Sequence, residues 1–149
     1  MHIEVYQERV SLTEKGLSID WIRHVAVACA ERVGLKSARF SIIVTDDAYI
    51  RNINREFRSD DRPTDVISFS NRENPFPAVD DSSEEIGEIY ISLQRAEKQA
   101  KEYMVSFVEE TKRLIVHGIL HLAGYDHERS DQEEELMLGL EEELCRTIE

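Results

Sequence analysis

Three of the five histidines in this 149-residue chain lie within eleven residues, in the stretch Val116-His117-Gly118-Ile119-Leu120-His121-Leu122-Ala123-Gly124-Tyr125-Asp126-His127. Their spacing constrains the fold more than any other feature. On a helix, His117 and His121 project from one face, one turn apart, close enough to grip a single ion. Gly124 then tolerates the left-handed backbone that ends a helix and reverses the chain, so His127 can return from the following loop as a third ligand. Any fold adopted here must bring one helix end and one loop together at this point. Three imidazoles with one open position fit a catalytic zinc site, whereas structural sites are usually closed by four protein ligands, mostly cysteines.

The pattern His-x3-His-x5-His, with a glycine three residues after the second histidine, matches the zinc-protease motif H-E-x-x-H-x-x-G-x-x-H at every ligand position. Where that motif carries its general-base glutamate, this chain has Gly118. The metal cradle is kept and the peptidase base is missing. The alternative, that the histidines merely sit on a partly buried helix, suits a lone histidine better than three at this spacing.

The segment HGILHLAGYDH also resembles the signature HGxLHLxGYDH of the YbeY family, the metal-dependent single-strand endoribonucleases of ribosomal RNA maturation. Upstream, Asn54-Arg55-Glu56-Phe57-Arg58 followed by Arg62-Pro63-Thr64-Asp65-Val66-Ile67-Ser68-Phe69 forms a second family-like block. Ile86-Gly87-Glu88-Ile89-Tyr90-Ile91-Ser92 forms a third, with Gly-Glu where the family usually has Gly-Asp. Length and block order fit the whole chain. The resemblance implies maturation of the 3′ end of 16S ribosomal RNA and ribosome quality control. It implies single-stranded ribosomal RNA as substrate, the ribosome or small-subunit proteins as partners, and a role for Arg58 at the cleavage step.

A length of 149 residues with 41% hydrophobic content suits one compact domain over residues 1–149, which the metal motif and the resemblance would make a metal-dependent hydrolase. The chain starts without a basic, then apolar leader, and no apolar run approaches the roughly 18 residues that span a bilayer, so a cytoplasmic location is expected. Cys29 and Cys145 form no C-x-x-C pair and are expected to be ordinary thiols. A net charge of -13 is unusual for a protein that handles RNA, but residues 126–149 carry ten acidic and two basic side chains, leaving -5 for residues 1–125. Within that remainder Arg51, Arg55, Arg58, Arg62 and Arg72 are the candidates for a phosphate-facing strip. Read without the resemblance, they fit better a solvated helix face paired with Glu56, Asp60 and Asp61.

In chain order, residues 3–6 alternate as an edge strand, and a helix over residues 19–33 is capped by Ser18 or Asp20 and stopped by Gly34. Residues 39–45 are rich in β-branched residues and predict a strand; Asp46 then caps a helix carrying Ile50 and Ile53, with Phe57 anchoring its far end. Pro63 bars helix before it, so residues 58–62 lead as a loop into a strand over 64–70. Residues 71–85 lack periodicity and suit a mobile connection or lid. A strand over 87–92 pairs antiparallel with the one before. Helices follow over 93–103, from Ser106 with a capping box to Glu109 and on to Ala123, and over 131–147 with Leu136, Leu140 and Leu144 on one face. This order predicts an α+β domain, a small mixed four-stranded sheet packed with about five helices, one of them a zincin-like metal helix.

No Gly-rich phosphate loop, dinucleotide fingerprint or G-x-S-x-G elbow occurs, so a nucleotide cofactor and serine chemistry are not expected. The reactive centre is then one Zn2+ ion per chain on His117, His121 and His127; nickel, iron or manganese could serve instead. Such an ion activates water near neutral pH, and the guanidinium of Arg58 could stabilise charge on the phosphoryl oxygens. Asp126, with Glu128 as a weaker candidate, could orient an imidazole, take the water's proton, or cap the turn. Thr64, Asp65 and Ser68 could line the cleft, while Gly87 and Glu88 read as a strand start. Two rivals stay open: another metal-dependent hydrolase, and a ribosome-assembly factor whose metal is closed by a fourth ligand from Asp126, Glu128 or Cys145.

Overall fold

The computed structural model describes residues 1–35, 37–70, 85–125 and 130–149. Asp126, His127 and Glu128, the expected lid over residues 71–84 and Arg72 lie outside the described residues. Four strands, β1 (His2–Gln7), β2 (Arg39–Thr45), β3 (Val66–Ser70) and β4 (Glu85–Ser92), form one sheet in the order β1-β2-β4-β3. β1 pairs parallel with β2 and β2 parallel with β4, while β3 is antiparallel to β4, so the sheet is mixed as expected and β1 lies at an edge. Among the described residues five helices accompany it: α1 (Ile19–Arg32), α2 (Asp47–Arg58), α3 (Leu93–Tyr103), α4 (Phe107–Leu122) and α5 (Asp131–Thr147).

Local chemistry accounts for the helix ends. The side chains of Ser18, Asp46, Ser92, Ser106 and Ser130 each accept a hydrogen bond from the backbone N–H three residues on, satisfying a donor that has no partner within the helix. α4 is the hub, in contact with α1, α3, α5, β3 and β4. Alternate residues of β4 show which helices share a face: Ile89 meets Gly118 of α4, whereas the ring of Tyr90 stacks against Tyr49 of α2. α4 and α2 therefore cover opposite faces. Leu114, Ile115, Val116, Ile119 and Leu120 of α4 are completely buried, together with Ile42, Val44, Ile89 and Ile91 from the sheet.

Several expectations need correction. Arg58 is the last residue of α2 and not part of the loop; Ser59 ends the helix in a left-handed conformation with φ 55°. β3 begins at Val66, because the Asp65 side chain accepts from the N–H of Val66 at 2.8 Å. Phe57 does not anchor the end of α2: it is 65% exposed and touches Phe69 edge-on. On α5 the inward stripe is Met137, Glu141 and Leu144, while Leu136 is 55% exposed.

Candidate metal centre and its surroundings

α4 carries His117 and His121 on one face, with ring centroids 5.5 Å apart and planes inclined at 60°. Two imidazoles sharing a tetrahedral zinc at a metal–nitrogen distance of about 2.0–2.1 Å have centroids roughly 5 Å apart, so this pair fits one ion. Gly124, at φ 103°, adopts the left-handed backbone expected of it, and Tyr125 N–H closes the turn on Leu120 O at 3.0 Å. The helix therefore ends at the predicted point. Among the described residues no three His, Cys, Asp or Glu side chains are placed to hold one metal ion, so Cys145 does not join the two histidines as a ligand.

Gly118, at the position of the peptidase base, faces Ile89 of β4. A Cβ there would lie 2.6 Å from Cγ2 of Ile89, well inside contact distance. The position belongs to the seam between α4 and β4 and has no room for any side chain. Its glycine is a packing requirement and not a peptidase site stripped of its base.

Sequence reasoning missed Glu141. This residue of α5 is 6% exposed, and its Oε1 lies 2.8 Å from Nδ1 of His117. Arg113, one turn before His117, donates to both oxygens of the buried Glu110 at 2.8 Å and lies 3.7 Å from Glu141 and 3.8 Å from Asp65. The Glu110 hydrogen bond leads these contacts in raising the pKa of Arg113 above its ordinary value. Gln99 closes the group by donating to Asp65 at 3.2 Å and Glu110 at 2.6 Å. The signal for Glu141 was positional: it stands four residues after Met137 and three before Leu144, on the apolar side of its helix.

The remaining candidates separate. Arg58 donates to Ser68 O at 2.7 Å, with its guanidinium carbon 5.2 Å from the Phe69 ring centroid. The Ser68 hydroxyl in turn donates to Gly118 O at 3.3 Å, within the helical turn that joins the two histidines. Asp65 faces Gln99 and Arg113 instead, and the Thr64 hydroxyl donates to Asp65. Gly87 is buried inside β4, and Glu88 accepts from the Tyr90 hydroxyl at 2.6 Å, on the face opposite α4. Neither belongs to the histidine site. Of the arginine strip, Arg51 pairs bidentately with Asp61 and Arg62 with Asp60, so both hold their carboxylates below the usual range. Arg55 lies 3.8 Å from Asp61.

Comparison with known proteins decides the family. The model of the family described as Endoribonuclease YbeY matches residues 2–149. The chain belongs to this family. An Endoribonuclease YbeY of Persephonella marina is 39% identical over 137 residues, covering 92% of this chain and 88% of the relative. An Endoribonuclease YbeY of Aquifex aeolicus is 40% identical over 132 residues, covering 89% and 85%. Among solved structures, a solution structure of a Thermotoga maritima protein superimposes with a TM-score of 0.66 at 27% identity, covering 98% of this chain and 88% of that one. The YbeY resemblance read from the histidine block thus holds for the full length of the chain, as does the α+β fold.

Proposed function

We propose that this chain is a metal-dependent endoribonuclease, one hydrolase domain over residues 1–149, that cuts single-stranded RNA and acts on ribosomal RNA. Membership in a family described as Endoribonuclease YbeY supports phosphodiester hydrolysis and an RNA substrate. One structural observation carries the metal: the paired rings of His117 and His121, spaced for a single ion, with His117 anchored on a buried carboxylate. In this reading His117, His121 and His127 hold one zinc ion. When bound, it supplies Lewis acidity and activates water near neutral pH.

The chain's own residues do the rest. Arg58 donates to a neutral carbonyl and has no carboxylate partner among the described residues, so its charge is undivided. A guanidinium in that condition suits the negative charge that develops on the phosphoryl oxygens. The hydrogen bonds from Arg58 to Ser68 and from Ser68 to Gly118 tie the end of α2 to the histidine turn. Asp126 is assigned to orienting an imidazole or accepting the proton. Small-subunit ribosomal components are the proposed partners and the cytoplasm the proposed location, in keeping with the lack of any helix among the described residues long and apolar enough to cross a membrane.

The test incubates zinc-loaded protein with fluorescent single-stranded and duplex RNA, with His117→Ala, Arg58→Ala and chelator-treated samples alongside. Cleavage is expected for the single strand only. It should vanish in His117→Ala and on chelation, and in Arg58→Ala it should vanish while zinc content and melting temperature stay near those of the parent. Protein carrying one zinc per chain that cuts no RNA would end the reading.

A further inference from the structure

We infer that Glu141, held in place by Arg113, is the positioning residue that fixes the metal-facing state of His117, so that the acidic α5 is a working part of the metal centre. The inference rests on the proposed metal site and adds to it residues from a different helix.

A histidine binds a metal through one ring nitrogen, and which one is set by the hydrogen bond the other makes. Here Nδ1 of His117 lies 2.8 Å from Glu141 Oε1. A carboxylate oxygen at this distance accepts from Nδ1–H, and in the neutral ring that tautomer leaves Nε2 as the nitrogen able to face an ion. The ring is thereby prepared as a ligand before any ion arrives. A carboxylate in this role also makes the imidazole a better electron donor.

Glu141 cannot hold this place alone. At 6% exposure it has little solvent to stabilise its charge, and Glu110, at 2% exposure, is a second carboxylate close by. Arg113 answers both, with a bidentate bond to Glu110 and a contact at 3.7 Å to Glu141. Asp65 adds a third carboxylate at 3.8 Å from the same guanidinium. One positive and three negative groups leave this cluster at a formal -2, directly behind a histidine proposed to bind a dication. The cluster therefore supplies both the orientation of the ring and a field that favours a doubly charged ion. It draws together the residue just before β3, Asp65, and α3, α4 and α5 through Gln99, Arg113 and Glu141. Zinc affinity should accordingly depend on a residue that does not touch the ion.

Three readouts test this on the full chain. Zinc affinity is measured by competition with a chromophoric chelator for the parent, Glu141→Gln and Arg113→Lys. Loss of an outer partner of this kind weakens metal binding by about 10- to 100-fold, and Glu141→Gln is expected in that range, with Arg113→Lys showing a smaller loss. Nitrogen-15 NMR of the metal-free protein reports the His117 tautomer: a single Nδ1-protonated form in the parent, and a mixture in Glu141→Gln. Circular dichroism confirms that the near-isosteric Glu141→Gln stays folded, and the tautomer readout is one that a merely structural role would not move. If the parent binds zinc and Glu141→Gln binds it within twofold of the parent, the inference is overturned while the proposed function stands. A parent that binds no divalent metal overturns both.

Discussion

Gly118→Ala probes how closely the metal helix must approach the sheet, and its effect can be worked out from one distance. The added methyl would sit 2.6 Å from Cγ2 and 3.1 Å from Cδ1 of Ile89, a fully buried residue of β4. Carbon atoms are most favourably separated by about 3.5–4.0 Å, so a gap of roughly 1 Å must open along the seam. Overpacking of this kind costs about 1–3 kcal/mol. Replacing a mid-helix glycine by alanine returns about 0.5–1 kcal/mol through backbone entropy. The net cost is therefore about 1–2 kcal/mol, or a fall of roughly 2–8 °C in melting temperature for a chain of this size. The assay is urea and thermal denaturation of the metal-free protein, run as a cycle with Ile89→Ala. That second change removes the obstructing methyls at a cavity cost of its own of about 2–5 kcal/mol. In its background Gly118→Ala should change sign and stabilise the protein by about 0.5–1 kcal/mol. Gly118→Glu, which restores the zinc-protease motif letter for letter, should abolish folding and confer no peptidase activity. If Gly118→Ala stabilises the parent, or costs as much without the Ile89 side chain as with it, the close-approach argument is refuted.

Ser106→Ala removes the acceptor for Glu109 N–H at the start of α4, at 3.0 Å, and should cost about 1 kcal/mol in urea denaturation without altering zinc stoichiometry. Burial pushes the Cys29 thiol up to about 12 and the Cys145 thiol up to about 11, so in the native protein both should react slowly with iodoacetamide at pH 8.5 and rapidly once urea unfolds the chain. Because both folded values lie above the ordinary thiol value of 9.0, the stability tied to these thiols is fully present below about pH 9 and is lost as pH rises through 11 and 12. Alkaline denaturation monitored by circular dichroism checks that window.

Most of the fold could be read from local patterns because local chemistry decides it. The β-branched run of β2, the caps at Ser18, Asp46 and Ser106, and the glycine at position 124 each act within a few residues of themselves. Half of the capping box at Ser106 is visible, in the bond from Glu109 N–H to its side chain. The histidine pair was legible for the same reason, since a separation of four residues on a helix fixes a face. What escaped was decided between elements. The inward stripe of α5 runs through Met137, Glu141 and Leu144, and it contains an acid. A hydrophobicity pattern cannot accommodate that, so it slides sideways to Leu136, which faces solvent. Glu141 becomes an inward residue only because His117 and Arg113 meet it from α4. Gly118 reads in sequence as a missing side chain, yet the reason for its absence is Ile89 on a strand about thirty residues away.

The charge distribution can now be judged by what each residue touches. A net charge of -13 works against long-range attraction of a polyanion. The arginine strip offers little to offset it, because Arg51 and Arg62 are engaged by Asp61 and Asp60 and behave as the solvated, paired helix face that their neighbours implied. Arg58 differs from them because its partners, a carbonyl and an aromatic ring, are neutral. The acids divide in the same way. Most of those on α5 are exposed, whereas Glu141 is buried against His117 and shares Arg113 with Glu110. Counting charges therefore hides how differently Arg58 and Glu141 are placed. The cation at the end of α2 is exposed and acts through its lack of a carboxylate partner among the described residues, whereas Glu141, the buried anion behind α4, outweighs several exposed acids because a charge in a dry, ordered setting acts far more strongly than one in water.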